Sequence, residues 1–163
     1  MSTPSKRELV EKIIAHLTAE VELYAAAARA AHAEATHEQS RADNKYDTRG
    51  LEASYLARGQ SRQLAETEQA IEQYRKLPLR DLGPEDPIDL GALVRLTARS
   101  RKACYFIGPC AGGTEIPLTG GEECLVITPQ SPLGRQLMER RQGEKLQIEI
   151  AGGKAEYKVA SVS

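Results

Sequence analysis

The sequence predicts an α+β protein in which an antiparallel helical hairpin of coiled-coil type precedes a small antiparallel sheet packed on one helix. Two long segments, rich in alanine, glutamate, leucine and arginine, repeat apolar residues every three or four positions, which is the spacing of one helix face. A short polar stretch separates them. Beyond position 90, runs that alternate apolar and polar residues are punctuated by glycine pairs, a pattern typical of strands joined by turns.

Composition and charge exclude several classes of function. The 163 residues carry a formal net charge of −1, so no bulk electrostatic attraction draws the chain to nucleic acid or to a membrane surface. With no tryptophan and one phenylalanine, the chain lacks the aromatic surface that stacks on single-stranded bases. No apolar run approaches the roughly 20 residues that cross a bilayer. We therefore expect one ordinary domain or two small ones, in the cytoplasm.

The first helix is expected to run from its capping residue Ser5 to about Ala35. Glu8 stands three residues after Ser5, so the two residues can form a capping box around the first backbone N–H groups. The predicted apolar face narrows to alanine in its second half, where a partner helix could approach closely. This face consists of Leu9, Ile13, Leu17, Val21, Tyr24, Ala28, Ala31 and Ala35.

The second helix is expected from about Thr48 to Leu77, and Pro78 ends it because proline cannot extend the hydrogen-bond ladder. Gly50 and Gly59 weaken it locally. Its apolar side consists of Leu51, Tyr55, Leu64, Ile71 and Tyr74. Two helices of similar length with a short polar connection predict an antiparallel hairpin, an arm of roughly 45 Å at 1.5 Å per residue.

The predicted organisation is a helical hairpin over residues 1–77 with its polar tip near 38–47, a linker over 78–90, and a second domain over 91–163. The linker is predicted from its proline and glycine content. In the second domain, one helix is expected to start at Ser131-Pro132 and to end near Arg141. The strands are predicted in the runs 92–96, 103–107, 124–127, 145–150 and 156–159.

The three cysteines, Cys104, Cys110 and Cys124, lie in the second half of the chain, which contains no histidine. Their spacing lacks the C-x-x-C pairs of zinc sites. We therefore expect buried or half-buried thiols, and no metal held stably by this chain alone.

Three motifs follow one another in the second half of the chain. The first is the segment Ser131-Pro132-Leu133-Gly134-Arg135-Gln136-Leu137-Met138, the second is the run 143–148, and the glycine-pair hairpin 152–159 is the third. In this order and at these distances the motifs resemble those of the GreA/GreB family of bacterial transcript-cleavage factors, and the ordered series is more specific than any one of them. The family architecture, a helical hairpin followed by an FKBP-like domain, agrees with the elements predicted above.

The resemblance implies an accessory factor rather than an enzyme. In the family, the C-terminal domain docks at the rim of the RNA polymerase secondary channel, and the hairpin carries acidic tip residues to the active centre. There they help to hold a second Mg²⁺ ion, shared with RNA polymerase, so that the polymerase hydrolyses the 3′ end of its own backtracked transcript. The resemblance further implies a cytoplasmic monomer that has no intrinsic cofactor and does not associate with membranes. It also implies that the protein belongs to the DNA-binding class of transcription factors.

The family's acidic tip can be matched residue by residue. Asn44 matches its asparagine, which places Asp43 on the family's glutamate and Ser40 on its first aspartate. Ser40 can bind water but contributes no charge. Asp47, which follows a tyrosine instead of preceding it, could supply the missing carboxylate, and Glu38 is a further candidate. The predicted acids assisting the polymerase Mg²⁺ are therefore Asp43 and Asp47, with Asn44 positioning the tip.

Three other positions, all of them basic, have two interpretations each. Arg41 and Lys45 put positive charge beside the tip acids, where they could pair with helix ends or contact transcript phosphates. In the Ser131-Pro132 segment, Arg135 could be a solvated helix residue, although the family implies that this segment lies near the surface that docks on polymerase.

Four further hypotheses stand beside transcript cleavage. A protein of this fold could occupy the polymerase channel without stimulating cleavage, or its tip could be only a solvated turn. A prolyl isomerase is disfavoured, because an aromatic-lined pocket would have to come from Tyr105, Phe106 and Tyr157 alone. A regulator of the DksA type would carry a zinc-binding cysteine cluster, which this sequence lacks.

Overall fold

The computed structural model describes residues 5–36, 49–150 and 153–163. Two long helices open the chain, α1 (Lys6–Thr36) and α2 (Arg49–Arg75). These bounds confirm both predicted helices, and α2 ends shortly before Pro78, as expected. No helix in the described ranges is long and apolar enough to cross a membrane.

The start of α1 confirms the predicted capping box. The Ser5 hydroxyl oxygen accepts a hydrogen bond from the Glu8 backbone N–H at 3.2 Å, and Glu8 Oε2 accepts one from the Ser5 N–H at 3.3 Å. The Leu9 N–H then donates to the Ser5 carbonyl at 3.1 Å and begins the helical ladder. The cap satisfies backbone donors that would otherwise be unpaired at the helix start.

The chain divides into two compact units, one containing residues up to 13 together with 73–163 and the other containing 14–72. The chain leaves the first unit within α1 and re-enters it near the end of α2, which is the connectivity of a helical hairpin. The predicted apolar faces are buried at Leu9, Ile13, Leu17, Ala31, Ile71 and Tyr74. Coiled-coil geometry and the domain boundaries at 77 and 90 stay predictions.

The second half of the chain forms one six-stranded sheet in the order β3-β4-β2-β1-β6-β5. All five predicted strands are present, and β3 is an additional short strand. A single helix, α3, lies between β4 and β5, as predicted, but it ends at Leu137 rather than near Arg141. The strands are β1 (Leu93–Thr97), β2 (Lys102–Ile107), β3 (Glu115–Pro117), β4 (Glu123–Ile127), β5 (Lys145–Ile150) and β6 (Gly153–Val162), with α3 at Pro132–Leu137.

The sheet is mixed, which corrects one part of the predicted fold class. Four of the neighbouring strand pairs are antiparallel, as expected, whereas β2 and β4 run parallel with Cys104 opposite Cys124. The physical reason is the short strand β3, which forms an antiparallel pair with β4 and so reverses the chain before β4 reaches β2. Parallel neighbours need such a crossover, which a two-residue turn cannot provide.

A partly buried hydrogen bond joins the last turn of α2 to the loop that follows β2. The Tyr74 side chain is 1% exposed, and its hydroxyl donates to the Cys110 carbonyl at 2.6 Å. Burial raises the pKa of Tyr74, and nearby Cys110 raises it further, so the hydroxyl keeps its proton and remains a donor. Gly108 makes this approach possible, because a Cβ there would lie 2.1 Å from the Tyr74 hydroxyl oxygen.

A hydrophobic core lies beneath α3. It is formed by buried residues of β1, β2, β4, β5 and β6 together with Leu137. The segment 78–90 contains no helix or strand, yet Ile88 is 1% exposed and belongs to this core. The Ile88 N–H donates to the Arg140 carbonyl at 2.7 Å, and the Ile88 carbonyl accepts from the Glu139 N–H at 3.0 Å. These bonds hold the end of α3 against the incoming chain.

Replacing Gly108 by alanine should lower the free energy of unfolding by about 1–3 kcal/mol, because the added methyl group displaces the Tyr74 hydroxyl. Gly59→Ala in α2 is the matched control. A Cβ at Gly59 meets nothing within 4 Å, so this variant should gain about 0.5–1 kcal/mol through helix propensity. Urea denaturation followed by far-ultraviolet circular dichroism measures both changes. Equal stability of the two variants would contradict the close approach at Gly108.

Candidate functional site

The predicted tip lies outside the described residues. It comprises Ser40, Arg41, Asp43, Asn44, Lys45 and Asp47, with Glu38 as the additional candidate, and these positions fall between the end of α1 at Thr36 and the start of α2 at Arg49. The roles assigned to these seven residues stay predictions. The predicted docking residues Ser131, Pro132 and Arg135 are described, and the structure brings them together in the first turns of α3.

Ser131 is the N-cap of α3, and it fixes the turn between β4 and the helix. Its hydroxyl donates to the Thr128 carbonyl at 2.7 Å and accepts from the Gly134 N–H at 3.0 Å. Its backbone is extended, with φ −66° and ψ 156°, as is usual for a capping residue. Pro132 follows in the first helical turn, where its missing N–H is not needed. The sequence predicted this start, and the structure confirms it.

Gly134 allows the turn to close tightly on itself. A Cβ at this position would lie 1.9 Å from the Thr128 carbonyl oxygen and 2.8 Å from the Ser131 hydroxyl oxygen. An alanine here would therefore require the turn to open. The Arg135 N–H completes the first helical bond by donating to the Ser131 carbonyl at 2.9 Å.

The two faces of α3 have different environments. Leu137 is fully buried, and Leu133 packs against the same core. Pro132 and Arg135 are exposed. The capped turn therefore presents a proline ring and a guanidinium group on a rigid base, which is an arrangement suited to contact with another macromolecule.

A row of lysines on the sheet was not predicted from the sequence. Lys102 pairs with Thr97, Thr97 with Lys158, and Lys158 with Lys145, so the four residues form one line across β2, β1, β6 and β5. Directly opposed residues of neighbouring strands lie on the same face, and all three lysines are exposed. This row depends on the strand register, which single-residue patterns do not reveal.

A pair of cysteines was also not predicted to meet. Cys104 and Cys124 stand opposite one another on the parallel strands β2 and β4, and their interaction lowers the pKa of Cys104 and raises the pKa of Cys124. Arg95 is the cross-strand neighbour of Cys104, and its guanidinium donates to Glu122 at 2.9 Å. The prediction that the cysteines are buried or half-buried is confirmed, since Cys104 and Cys124 are buried and Cys110 is half-buried.

Residues 84–163 match the model described as transcription elongation factor GreA/GreB, C-terminal domain. The C-terminal domain belongs to the GreA/GreB family. The matched range begins before β1 and contains all six strands and α3, so the capped turn and the lysine row are parts of this Gre-type domain. Comparison with curated protein sequences gives no match.

Solved structures of similar proteins include the Gre-factor homologue Gfh1 and a GreA/GreB factor. Gfh1 of Thermus thermophilus is 20% identical, with 92% of this chain and 94% of that chain covered and a TM-score of 0.39. Gfh1 of Thermus aquaticus is 20% identical, with 90% of this chain and 91% of that chain covered and a TM-score of 0.38. The GreA/GreB elongation factor of Nitrosomonas europaea is 16% identical, with 60% of this chain and 78% of that chain covered and a TM-score of 0.36.

Proposed function

We propose that this protein is an accessory transcription elongation factor that binds RNA polymerase at its secondary channel and stimulates cleavage of backtracked transcripts. The observation that carries the proposal is the Gre-type C-terminal domain over residues 84–163, which follows two long helices in one chain. The function is assigned to a cytoplasmic monomer without a cofactor of its own.

Docking is assigned to the exposed side of the capped turn. Pro132 and Arg135 are held by a cap with two side-chain hydrogen bonds, so little conformational entropy is lost when a partner covers them. Arg135 offers a planar, permanently charged donor group that suits a carboxylate on the partner surface.

The chemistry is assigned to the tip between the helices. Asp43, Asn44 and Asp47 offer oxygen ligands, the type that Mg²⁺ prefers. In two-metal phosphodiester hydrolysis the ions activate the attacking water and stabilise the leaving oxygen. The polymerase supplies the active centre, and Asp43 contributes the principal additional carboxylate. Arg41 and Lys45 contact the phosphates near the transcript 3′ end.

A second function is favoured by one observation in the tip sequence. Ser40 stands where the family pattern has an aspartate, so the tip is one carboxylate short. A factor with this tip could occupy the secondary channel and change initiation or pausing without stimulating hydrolysis. Such a regulator binds the same site and yields no new RNA products.

A cleavage assay on a reconstituted backtracked complex separates these two functions. Wild-type protein should stimulate cleavage, and Asp43→Ala should reduce the stimulated rate about 10²-fold, the usual effect of removing one electrostatic contributor to a transition state. Ser40→Asp should increase the rate, because it restores the missing carboxylate. The binding affinity of both variants for polymerase should stay unchanged, since docking is assigned to the C-terminal domain.

Two results would change the proposal. If saturating wild-type protein gives no cleavage but displaces an authentic GreA or GreB factor from polymerase, the channel-occupying regulator is the correct function. If the protein neither stimulates cleavage nor competes for polymerase, both functions are wrong.

Charge reversal at Arg135 tests the docking surface. Arg135→Glu should weaken polymerase binding about tenfold, or about 1.4 kcal/mol, because it replaces a cation by an anion at the proposed contact. Lys158→Glu in the lysine row is the matched control, since it makes the same charge change on an exposed strand residue. Binding curves measured by fluorescence anisotropy compare the two variants. Loss of affinity only in Lys158→Glu would move the docking surface from α3 to the sheet.

A further inference from the structure

Cys104 and Cys124 are placed closely enough to form a disulfide. They are register partners on the neighbouring strands β2 and β4. Neighbouring strands lie about 4.7–4.9 Å apart, and disulfides join Cα atoms about 4.4–6.8 Å apart, so the backbone spacing is compatible with the bond. The two side chains also influence one another, since each shifts the pKa of the other. Two neighbouring cysteines can form a disulfide within one molecule, which a single buried cysteine cannot.

The two thiols have different acidities. The neighbouring Cys124 side chain lowers the pKa of Cys104, and the Arg95 guanidinium lowers it further, against the opposing effects of burial and of Glu122. The Cys104 side chain, together with burial, raises the pKa of Cys124. Cys104 is therefore the thiol that ionises first, and Cys124 retains its proton. This division provides one nucleophile and one second thiol to resolve an oxidised intermediate.

A cleft opens beside Cys104. Its volume is about 680 Å³, and its lining includes Cys104, Arg95, Lys102 and Glu122. Cys104 is 6% exposed, whereas Cys124 is fully buried. The Arg95–Glu122 ion pair, with a nitrogen–oxygen distance of 2.9 Å, lies beside the thiols in the same cleft lining. Of the two cysteines, Cys104 is therefore the one that a small oxidant in the cleft meets first.

We propose that Cys104 and Cys124 form a peroxide-sensitive modification site that closes reversibly to a disulfide. The Cys104 thiolate attacks one oxygen of hydrogen peroxide, the O–O bond breaks, and a sulfenic acid forms with release of hydroxide. The Cys124 sulfur then attacks the Cys104 sulfur, the S–O bond breaks, and the second hydroxide leaves. Two protons from the thiols convert both hydroxides to water. Two thiols and one peroxide thus give one disulfide and two waters, and a dithiol reductant reverses the change.

Cys110 serves as an internal control within the same domain. It is half-buried in the loop that receives the Tyr74 hydroxyl, and burial raises its pKa. It is not a register partner of either other cysteine. Cys110 should therefore react with peroxide more slowly than Cys104, because its thiolate fraction is smaller.

The test treats the reduced, full-length protein with hydrogen peroxide and maps its peptides by mass spectrometry. The expected product has lost two hydrogen atoms and contains a peptide joining Cys104 to Cys124, and dithiothreitol restores the reduced mass. Cys110→Ser should give the same product at the same rate. In Cys124→Ser, the resolving thiol is absent, so a sulfenic acid should accumulate at Cys104 and be trapped by dimedone.

Circular dichroism of each reduced variant first verifies that it is folded. If a variant does not fold, the peptide map of the wild-type protein still tests the proposal. Several outcomes would overturn the proposal. They are preferential oxidation of Cys110, a disulfide between two molecules, or oxidation of wild-type Cys104 to sulfinic acid with Cys124 left reduced.

Discussion

The hydrogen bond from Tyr74 to the Cys110 carbonyl is the contact on which the sheet's connections depend. It fixes the loop after β2, and Gly108 in that loop has no room for a side chain. In the same loop, the Gly108 N–H donates to the Ile127 carbonyl at 2.8 Å, and the Gly113 N–H donates to the Val126 carbonyl at 2.8 Å. Both ends of the loop are therefore bonded to β4. The loop can lead through β3 into a strand parallel to β2 only because these bonds replace a simple hairpin turn.

The parallel crossover has two chemical consequences. It sets Cys104 beside Cys124, and it directs the end of β4 into the capped turn of α3. The Thr128 carbonyl follows β4 directly and accepts bonds from both the N–H and the hydroxyl of Ser131. The surface assigned to docking and the thiol pair are thus supported by the same strand. A partner that covers α3 rests on a base whose hydrogen bonds are already made, and this limits the entropy lost on binding.

The features that could be predicted from sequence are those determined by near neighbours in the chain. The capping box of Ser5 and Glu8, and the helix start at Ser131-Pro132, each involve residues within three positions of one another, and both are present. The apolar faces of α1 and α2 follow from helical periodicity in the same way. By contrast, the parallel β2–β4 pairing, the thiol pair and the lysine row depend on long-range register, which no local pattern encodes. The tip roles rest on the family resemblance, since the residues at 37–48 lie outside the described ranges.

The most direct test of the central claim is site-specific photo-crosslinking from the tip. A photoreactive amino acid at position 43 would be activated in a backtracked complex of polymerase, template and radiolabelled transcript, with the same group at position 135 as a reference. The account predicts that position 43 crosslinks to the transcript 3′ end or to polymerase segments at the active centre, while position 135 crosslinks only to the outer rim of the channel. Binding of the protein with crosslinks from position 43 confined to the outer surface of polymerase would contradict it.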